Sequence, residues 1–524
     1  MLYNKFYITT PIFYINAEPH IGHAYTVIAA DILARYHRIR GDKTFFLTGV
    51  DEHGEKIERK AIGQKQTPQK FADRISAEFQ LTWDELNISN DFFIRTTDKK
   101  HKKAVQNILQ YLYDKGDIYL GKYKGLYCRE CEQYKNKKDL VNGKCPEHQI
   151  VPEKIEEECY MFKMSKYQNK LLKLIKTDKV KIRPLERKNE ILNFYKDGLK
   201  DISFSRKNVK WGIQLPWDKS QTVYVWADAF LNYLTGLAWD GNFEKVPEMW
   251  PADLHLMSKD ILRVHSTIWL AMLLALDLPL PKQLFSHGFF LINGQKMSKS
   301  IGNVIAPKDL VKKYKIDGAR YLLISATPFG HDGDVSWKKF DEKYNADLAN
   351  GLGNLLARSV ALMDKMRLKG IKMQVKDENF QFSIFNFQSI FNNQFSISKN
   401  EFKMSRIWET YKKKFISIEL DKIIDLINQQ QRFLDSFITA TKPWELIKNK
   451  DEKVGIIMYN VLERLRQITW MILPFMPDTA EKIWESLGIN IVKEKEKKFS
   501  EAIKWGGLNP RSKIKKSKPL FPRI

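Results

Sequence analysis

The chain has 524 residues, 43% of them hydrophobic and 28% charged, a balance that excludes a disordered polymer and supplies roughly two to four cores. Its 87 Lys and Arg outnumber 62 Asp and Glu, giving a formal charge of +25. Such a field gathers polyanions, so nucleic acid is a candidate partner, although Lys-rich composition also arises in proteins of many functions. The opening MLYNKFYITTPIFYIN lacks the order of a secretory signal. The longest apolar run, Ile268 to Leu276, falls short of the roughly 20 residues that cross a bilayer, so a cytoplasmic location is expected.

In chain order, Lys5 to Thr10 predicts a strand ended by Pro11, and apolar residues recur at helical spacing from His20 to Arg40 until Gly41. Lys43 to Val50 predicts a second strand, followed by polar DEHGEK and another helical pattern. These are parallel βα units, whose active sites lie at the strands' carboxyl ends. Around Gly116 the pattern changes to short strands, Gly turns and all four cysteines, as in a small inserted domain. Strands are expected again at Thr222 to Trp226, leading to a helix, and at Leu254 to Met257 and Leu284 to Ile292. After Asp341 helices dominate, at Ala346 to Met366, Met404 to Phe437, Lys453 to Ile472 and Asp478 to Leu487, with Pro443 and Pro474 as breakers. The Asn-, Gln- and Phe-rich stretch 377–400 reads as an insertion without an assigned function.

Three local patterns carry chemistry. His20-Ile21-Gly22-His23 stands after a strand and loop at the start of a helix. Two imidazoles three apart share one helix face, Gly22 admits a flat nucleotide, and the helix N-terminus favours phosphate. Lys296-Met297-Ser298-Lys299-Ser300, between Gly294 and Gly302, puts two ammonium groups on a loop that can close over a leaving pyrophosphate. Cys128-x-x-Cys131 with Cys145-x-x-His148 has the spacing of a structural zinc site; a disulfide framework is the rival, disfavoured in a reducing cytoplasm. Cys159 is left over, expected to be buried and inert.

The first two motifs, in this order and far apart, resemble the signatures of class I aminoacyl-tRNA synthetases. Together with PIFYINAEPHIGHAY, FLTGVDEHGEKIE, VYVWADAFLNY, KDILRVH, GQKMSKSIGN and KPWEL, they make almost the whole chain similar to the methionyl-tRNA synthetase family. The resemblance implies an α/β, Rossmann-type parallel-sheet catalytic domain split by a zinc-containing insertion, then an α-helical anticodon-binding bundle. The expected boundaries are 1–115 and 223–300 for the catalytic halves, 116–222 for the insertion, 301–343 for a stem-contact linker, 344–487 for the bundle and 488–524 for a basic tail.

The resemblance also implies site residues. Methionine would be held by Ile12, Tyr14, Trp226, Ala229, Tyr233, Ile261 and His265, with Asp51 taking its ammonium. ATP would meet His20, Gly22, His23, Lys296, Ser298 and Lys299, with His20, His23, Lys296 and Lys299 catalytic and Mg²⁺ on the phosphates; Lys259-Asp260 would face the nucleotide side. Zinc would bind Cys128, Cys131, Cys145 and His148, and Asn354, Arg358 and Trp444 would read the CAU anticodon of methionine tRNAs. The chain departs from the family pattern at Val50, Ser258 and Val264, where threonine, glycine and an aromatic are usual, which puts pocket tightness in doubt. Another class I synthetase would need a large editing insertion or a catalytic zinc; a decayed, merely RNA-binding relative would have lost His20, His23 and the lysines. A monomer is expected.

Overall fold

The computed structural model describes residues 4–130, 133–135, 137, 140–146, 149–297, 304–375, 403–516 and 518–524. Cys131, His148, Ser298, Lys299, Ser300 and the 377–400 stretch therefore lie outside the described residues. The chain forms two compact units, Met1–Ala34 with Lys43–Phe289 and Arg35–Asp42 with Phe290–Ile524.

The first unit opens with β1 (Lys5–Thr9), β2 (Phe13–Tyr14), α1 (Ile21–Ile39, of which the last turn from Arg35 belongs to the second unit), β3 (Lys43–Asp51), α2 (Glu55–Gly63), α3 (Pro68–Glu85), β4 (Phe92–Arg95) and α4 (Lys99–Asp114). Tyr7, Ile8 and Thr9 are fully buried in succession, the mark of a parallel strand covered on both faces. The antiparallel insertion follows, with β5 (Ile118–Cys128), β6 (Gln133–Lys135) and β7 (Glu153–Phe162), then α5 (Gln168–Lys176), β8 (Lys181–Arg183), α6 (Leu185–Tyr195), β9 (Ile202–Ser203), β10 (Ser205–Arg206) and β11 (Thr222–Val223). The unit closes with α7 (Val225–Ala229), α8 (Asn232–Thr235), β12 (Leu254–Ser258), α9 (Leu262–Val264), α10 (Leu270–Ala275) and β13 (Gln283–His287).

The main sheet runs β2-β3-β1-β12-β13-β8, with β4 also on β3, and every pairing is parallel. The chain moves from β1 to β3 on one side and returns to place β12 on the other. The order therefore reverses between β1 and β12, which opens a crevice beyond their carboxyl ends. Gly49 in β3 is required there, because a Cβ would collide with the Ile94 carbonyl of β4.

The structure corrects several expectations. Thr222 to Trp226 is not a strand of the main sheet: Thr222–Val223 pairs antiparallel with Ser205–Arg206, and helix begins at Val225. The β-branched and aromatic residues that suggested a strand pack instead as a short ribbon and a helix wall. The edge strand β8 comes from inside 116–222, and at three residues it is too short to stand out as an apolar run. Leu284 to Ile292 divides into β13 and Phe290–Ile292, and the latter opens the second unit.

In the second unit, Phe290–Ile292 pairs with Gln295–Lys296 and Gly333–Asp334. Asn293 and Gly294 turn the hairpin with φ of 54° and 73°, the left-handed pair a two-residue hairpin demands. The helical remainder includes Pro307–Ser325, Asn354–Leu368, Leu420–Thr441, Pro443–Lys448 and Lys453–Ile472. Met404 to Phe437 is not one helix, because Ile418 adopts φ 59° and separates Met404–Ser417 from Leu420–Thr441. Among the described residues no helix is long and apolar enough to cross a membrane.

Candidate active site

His20 precedes α1 and its carbonyl accepts the amides of His23 and Ala24, so it caps the helix that the crevice exposes. Its Nδ1 accepts from Gly22 N at 3.1 Å, and His23 Nδ1 accepts from His20 N at 3.2 Å. The two rings stack with centroids 3.8 Å apart and planes 20° apart. With both Nδ1 atoms accepting, a neutral ring carries its proton on Nε2, so each offers an Nε2–H donor. The pair adds two donors to a positive helix end, a setting for phosphate oxygens. Phe13 packs against His23 with ring centroids 5.1 Å apart.

Asp51 ends β3 and is buried. Tyr14 is its partner in register, and Ile15 N donates to its carbonyl at 3.2 Å. Farther along, His265 opens a π-helical stretch, His265–Trp269, a wider turn of the kind found at functional sites. His265 Nδ1 lies 2.8 Å from the Ile261 carbonyl and donates to it, so Nε2 must accept the Tyr233 hydroxyl at 2.7 Å. Burial pulls the His265 pKa down to about 4 and pushes that of Tyr233 up, so both are neutral near pH 7. Ile12, Trp226 and Ile261 are partly buried against the same core, and Ala229 is buried. Phe230 bridges Trp226 and His265 at centroid distances of 5.6 and 4.9 Å. The result is an aromatic, uncharged cluster, suited to contact with a polarizable thioether.

Beside it, Lys259 Nζ lies 4.9 Å over the Phe289 ring. The Ser258 hydroxyl donates to the Asp260 carboxylate, which gives this unusual serine a local task. Val50 is fully buried, and Val264 packs on the main core.

Three features escaped sequence reasoning. Trp269 Nε1 donates to His255 Nε2 at 3.1 Å, leaving His255 Nδ1–H for the Thr9 hydroxyl at 2.7 Å. Thr26 likewise meets His287 Nε2 at 2.7 Å, and burial lowers the His287 pKa to about 4. These neutral histidines fix the ends of β1, β12 and β13. The third is Asp228, 1% exposed, whose carboxylate takes His53 Nδ1 at 2.6 Å and His101 Nε2 at 2.7 Å. His101 Nδ1 lies 2.7 Å from the Thr235 hydroxyl. His53 and Asp228 stand inside the recognisable VDEHG and VWADA segments, which was the available signal; His101 is hidden within KKHKK.

Of the zinc candidates, Cys128 closes β5, and both Cys128 and Cys145 are fully buried. Cys128 pairs in register with Gln133. Cys145 follows a second tight turn, where Val141 and Lys144 exchange hydrogen bonds around Gly143 with φ 74°. Two buried thiols are the donor type that a structural zinc ion takes. Cys159 is buried beside Met161 Sδ at 3.5 Å, and burial raises its pKa.

In the second unit, Lys296 pairs with Leu291 across the hairpin, and Gly294 N donates to Asp334 at 2.9 Å. Elsewhere in that unit, Arg358 Nη1 donates to Asp435 at 2.7 Å and Nη2 to the Thr439 hydroxyl at 3.2 Å. Its guanidinium lies 5.7 Å over the Trp444 ring, which is 38% exposed. Asn354 is exposed one turn before Arg358. The structure thus joins Arg358 and Trp444 in a surface patch suited to stacking bases.

A family model described as tRNA synthetases class I (M) matches residues 6–154 and 136–360. A methionine–tRNA ligase of Clostridium acetobutylicum is 43% identical over 99% of this chain and 78% of its own length. One of Streptomyces coelicolor is 38% identical, covering 99% of this chain and 96% of itself. The methionyl-tRNA synthetase of Mycobacterium tuberculosis in complex with methionyl-adenylate superposes with a TM-score of 0.89 at 33% identity, over 99% of this chain and 100% of that one.

Proposed function

This chain belongs to the methionine–tRNA ligase family of class I tRNA synthetases, and we propose that its active site works as follows. It activates L-methionine with ATP and transfers methionine to the 3′ end of its tRNA. The methionine carboxylate attacks the ATP α-phosphorus, the bond to the β-phosphate bridge breaks, and pyrophosphate leaves. The terminal ribose hydroxyl of the tRNA then attacks the adenylate carbonyl and AMP departs. No protein nucleophile is needed, so the rate comes from positioning and charge stabilisation.

The stacked His20–His23 pair at the start of α1, beside the sheet's crevice, is the observation that carries this reading. The two Nε2–H groups meet the phosphates beside Gly22, and Lys296, Ser298 and Lys299 would supply charge and donors to the leaving pyrophosphate. Asp51 receives the ammonium, while Ile12, Tyr14, Trp226, Ala229, Tyr233, Ile261 and His265 surround the side chain. Mg²⁺, when bound with ATP, would supply positive charge to the phosphates. Cys128, Cys131, Cys145 and His148 would hold a structural zinc ion, whose four protein ligands would leave no open position for a reaction step. Asn354, Arg358 and Trp444 read the anticodon. A cytoplasmic monomer completes the reading, its oligomeric state checked by light scattering.

Amino-acid-dependent ATP–pyrophosphate exchange, run with each amino acid side by side, tests it. Exchange with methionine alone is expected; exchange with another amino acid would overturn the specificity, and exchange with none would leave an RNA-binding protein.

A further inference from the structure

We infer that Asp228 is a positioning residue for methionine: shared by His53 and His101, it fixes the carboxylate that takes the ammonium relative to the wall that takes the side chain. This rests on the methionine-binding reading of Asp51, Trp226, Ala229 and Tyr233. Those residues sit on separate pieces of chain, Asp51 on β3, Trp226 and Ala229 on α7, and Tyr233 on α8. Backbone hydrogen bonds join α7 to α8 through Phe230 and Leu231, but chain connectivity alone does not set the spacing between that run and β3.

Side-chain hydrogen bonds do. Directly after Asp51, the side chains of Glu52 and His53 go to different partners. Glu52 is fully buried and accepts Ser76 Oγ at 2.5 Å, Arg95 Nε at 2.8 Å and Thr97 N at 3.0 Å, which pins the strand end from behind. His53 reaches forward to Asp228, within α7 between Trp226 and Ala229. The other carboxylate oxygen takes His101 of α4, and the far nitrogen of that ring meets Thr235 of α8, two residues after Tyr233. One carboxylate thereby ties together the elements that carry both ends of the bound amino acid. Burial alone would protonate it, but the two histidines hold its pKa down to about 2, so it stays an anion with two fixed partners. Small shifts in such a constellation are costly, because a site loosened by about 1 Å loses its preset geometry.

The test is exchange kinetics of Asp228→Asn, His101→Leu and His101→Gln, normalised by active-site titration so that misfolded protein is not counted. Asp228→Asn and His101→Leu should raise the methionine KM roughly tenfold while the ATP KM and kcat stay within about twofold. His101→Gln, whose amide can reach the same oxygen, should recover most of the loss. A methionine KM unchanged in the variants, a methionine and ATP KM that rise together, or Leu and Gln variants that behave alike would each overturn the inference. Where Asp228→Asn does not fold, the His101 pair decides. Failure of the unaltered protein to exchange with methionine would instead defeat the reading on which the inference rests.

Discussion

His265 and Arg358 each sit in a hydrogen-bonded cluster, but water reaches only one of them. His265 is 2% exposed and locked between the Ile261 carbonyl and the Tyr233 hydroxyl, both ring nitrogens committed. Arg358 and Asp435 keep 29% and 51% of their side chains in solvent. Losing one partner in the sealed cluster strands a buried polar group at a cost of about 1–3 kcal/mol, whereas an exposed ion pair is worth about 0.2–1 kcal/mol. On the proposed reading, a small apolar substrate would be selected by groups that cannot rearrange, and an RNA loop by side chains that can give up a weak partner for a base.

The largest effect that would test this contrast is His23→Ala. Taking one donor from the stacked pair should slow methionine-dependent exchange by about 10²–10⁴-fold; near-normal rates would remove His23 from the chemistry. Next is acid stability. Folded His265 and His287 titrate at about 4, and unfolded histidine at about 6.5, so the unfolded chain binds more protons between those values. Stability is complete above about pH 6.5 and drains as pH falls toward about 4, by roughly 3 kcal/mol per histidine. Thermal melts across that window check it, and His265→Asn should flatten the slope; a variant as acid-sensitive as its parent would contradict the burial argument. Third, Trp444→Ala should weaken tRNA aminoacylation by about 1–3 kcal/mol, the worth of one stacked base, while exchange without tRNA holds within about twofold. A matching loss of exchange would mean that Trp444 supports the fold. The smallest is Asp435→Asn, expected to move the tRNA KM by less than about threefold; a larger change would show that the wet cluster is as rigid as the sealed one.

The first βα unit was legible because β1, α1 and β3 each carry an apolar pattern matching their period, with Pro11 and Gly41 as stops. Later elements were less so. Thr222 to Trp226 has strand residues but too little length to join the main sheet, and β8 has almost no signal in three residues. Ile418 breaks a helix with a left-handed backbone that its β-branched side chain disfavours, so nothing in the local sequence marks the break. The site divides the same way. His20 and His23 are neighbours in sequence and could be read directly, whereas Asp228, His53 and His101 meet only after folding, and each alone looks like an ordinary polar residue.

The helical unit is not a continuous piece of chain. It includes Arg35–Asp42, and within it Tyr36 stacks on Phe415 with centroids 3.7 Å apart and planes 5° apart, with Phe499 edge-on at 6.3 Å. A fragment expressed from Phe290 onward would carry the aromatic cradle without the ring that fills it. On the ribosome, that ring emerges long before its cradle is synthesised, so the last part of the chain completes a core whose first component has been waiting since the start.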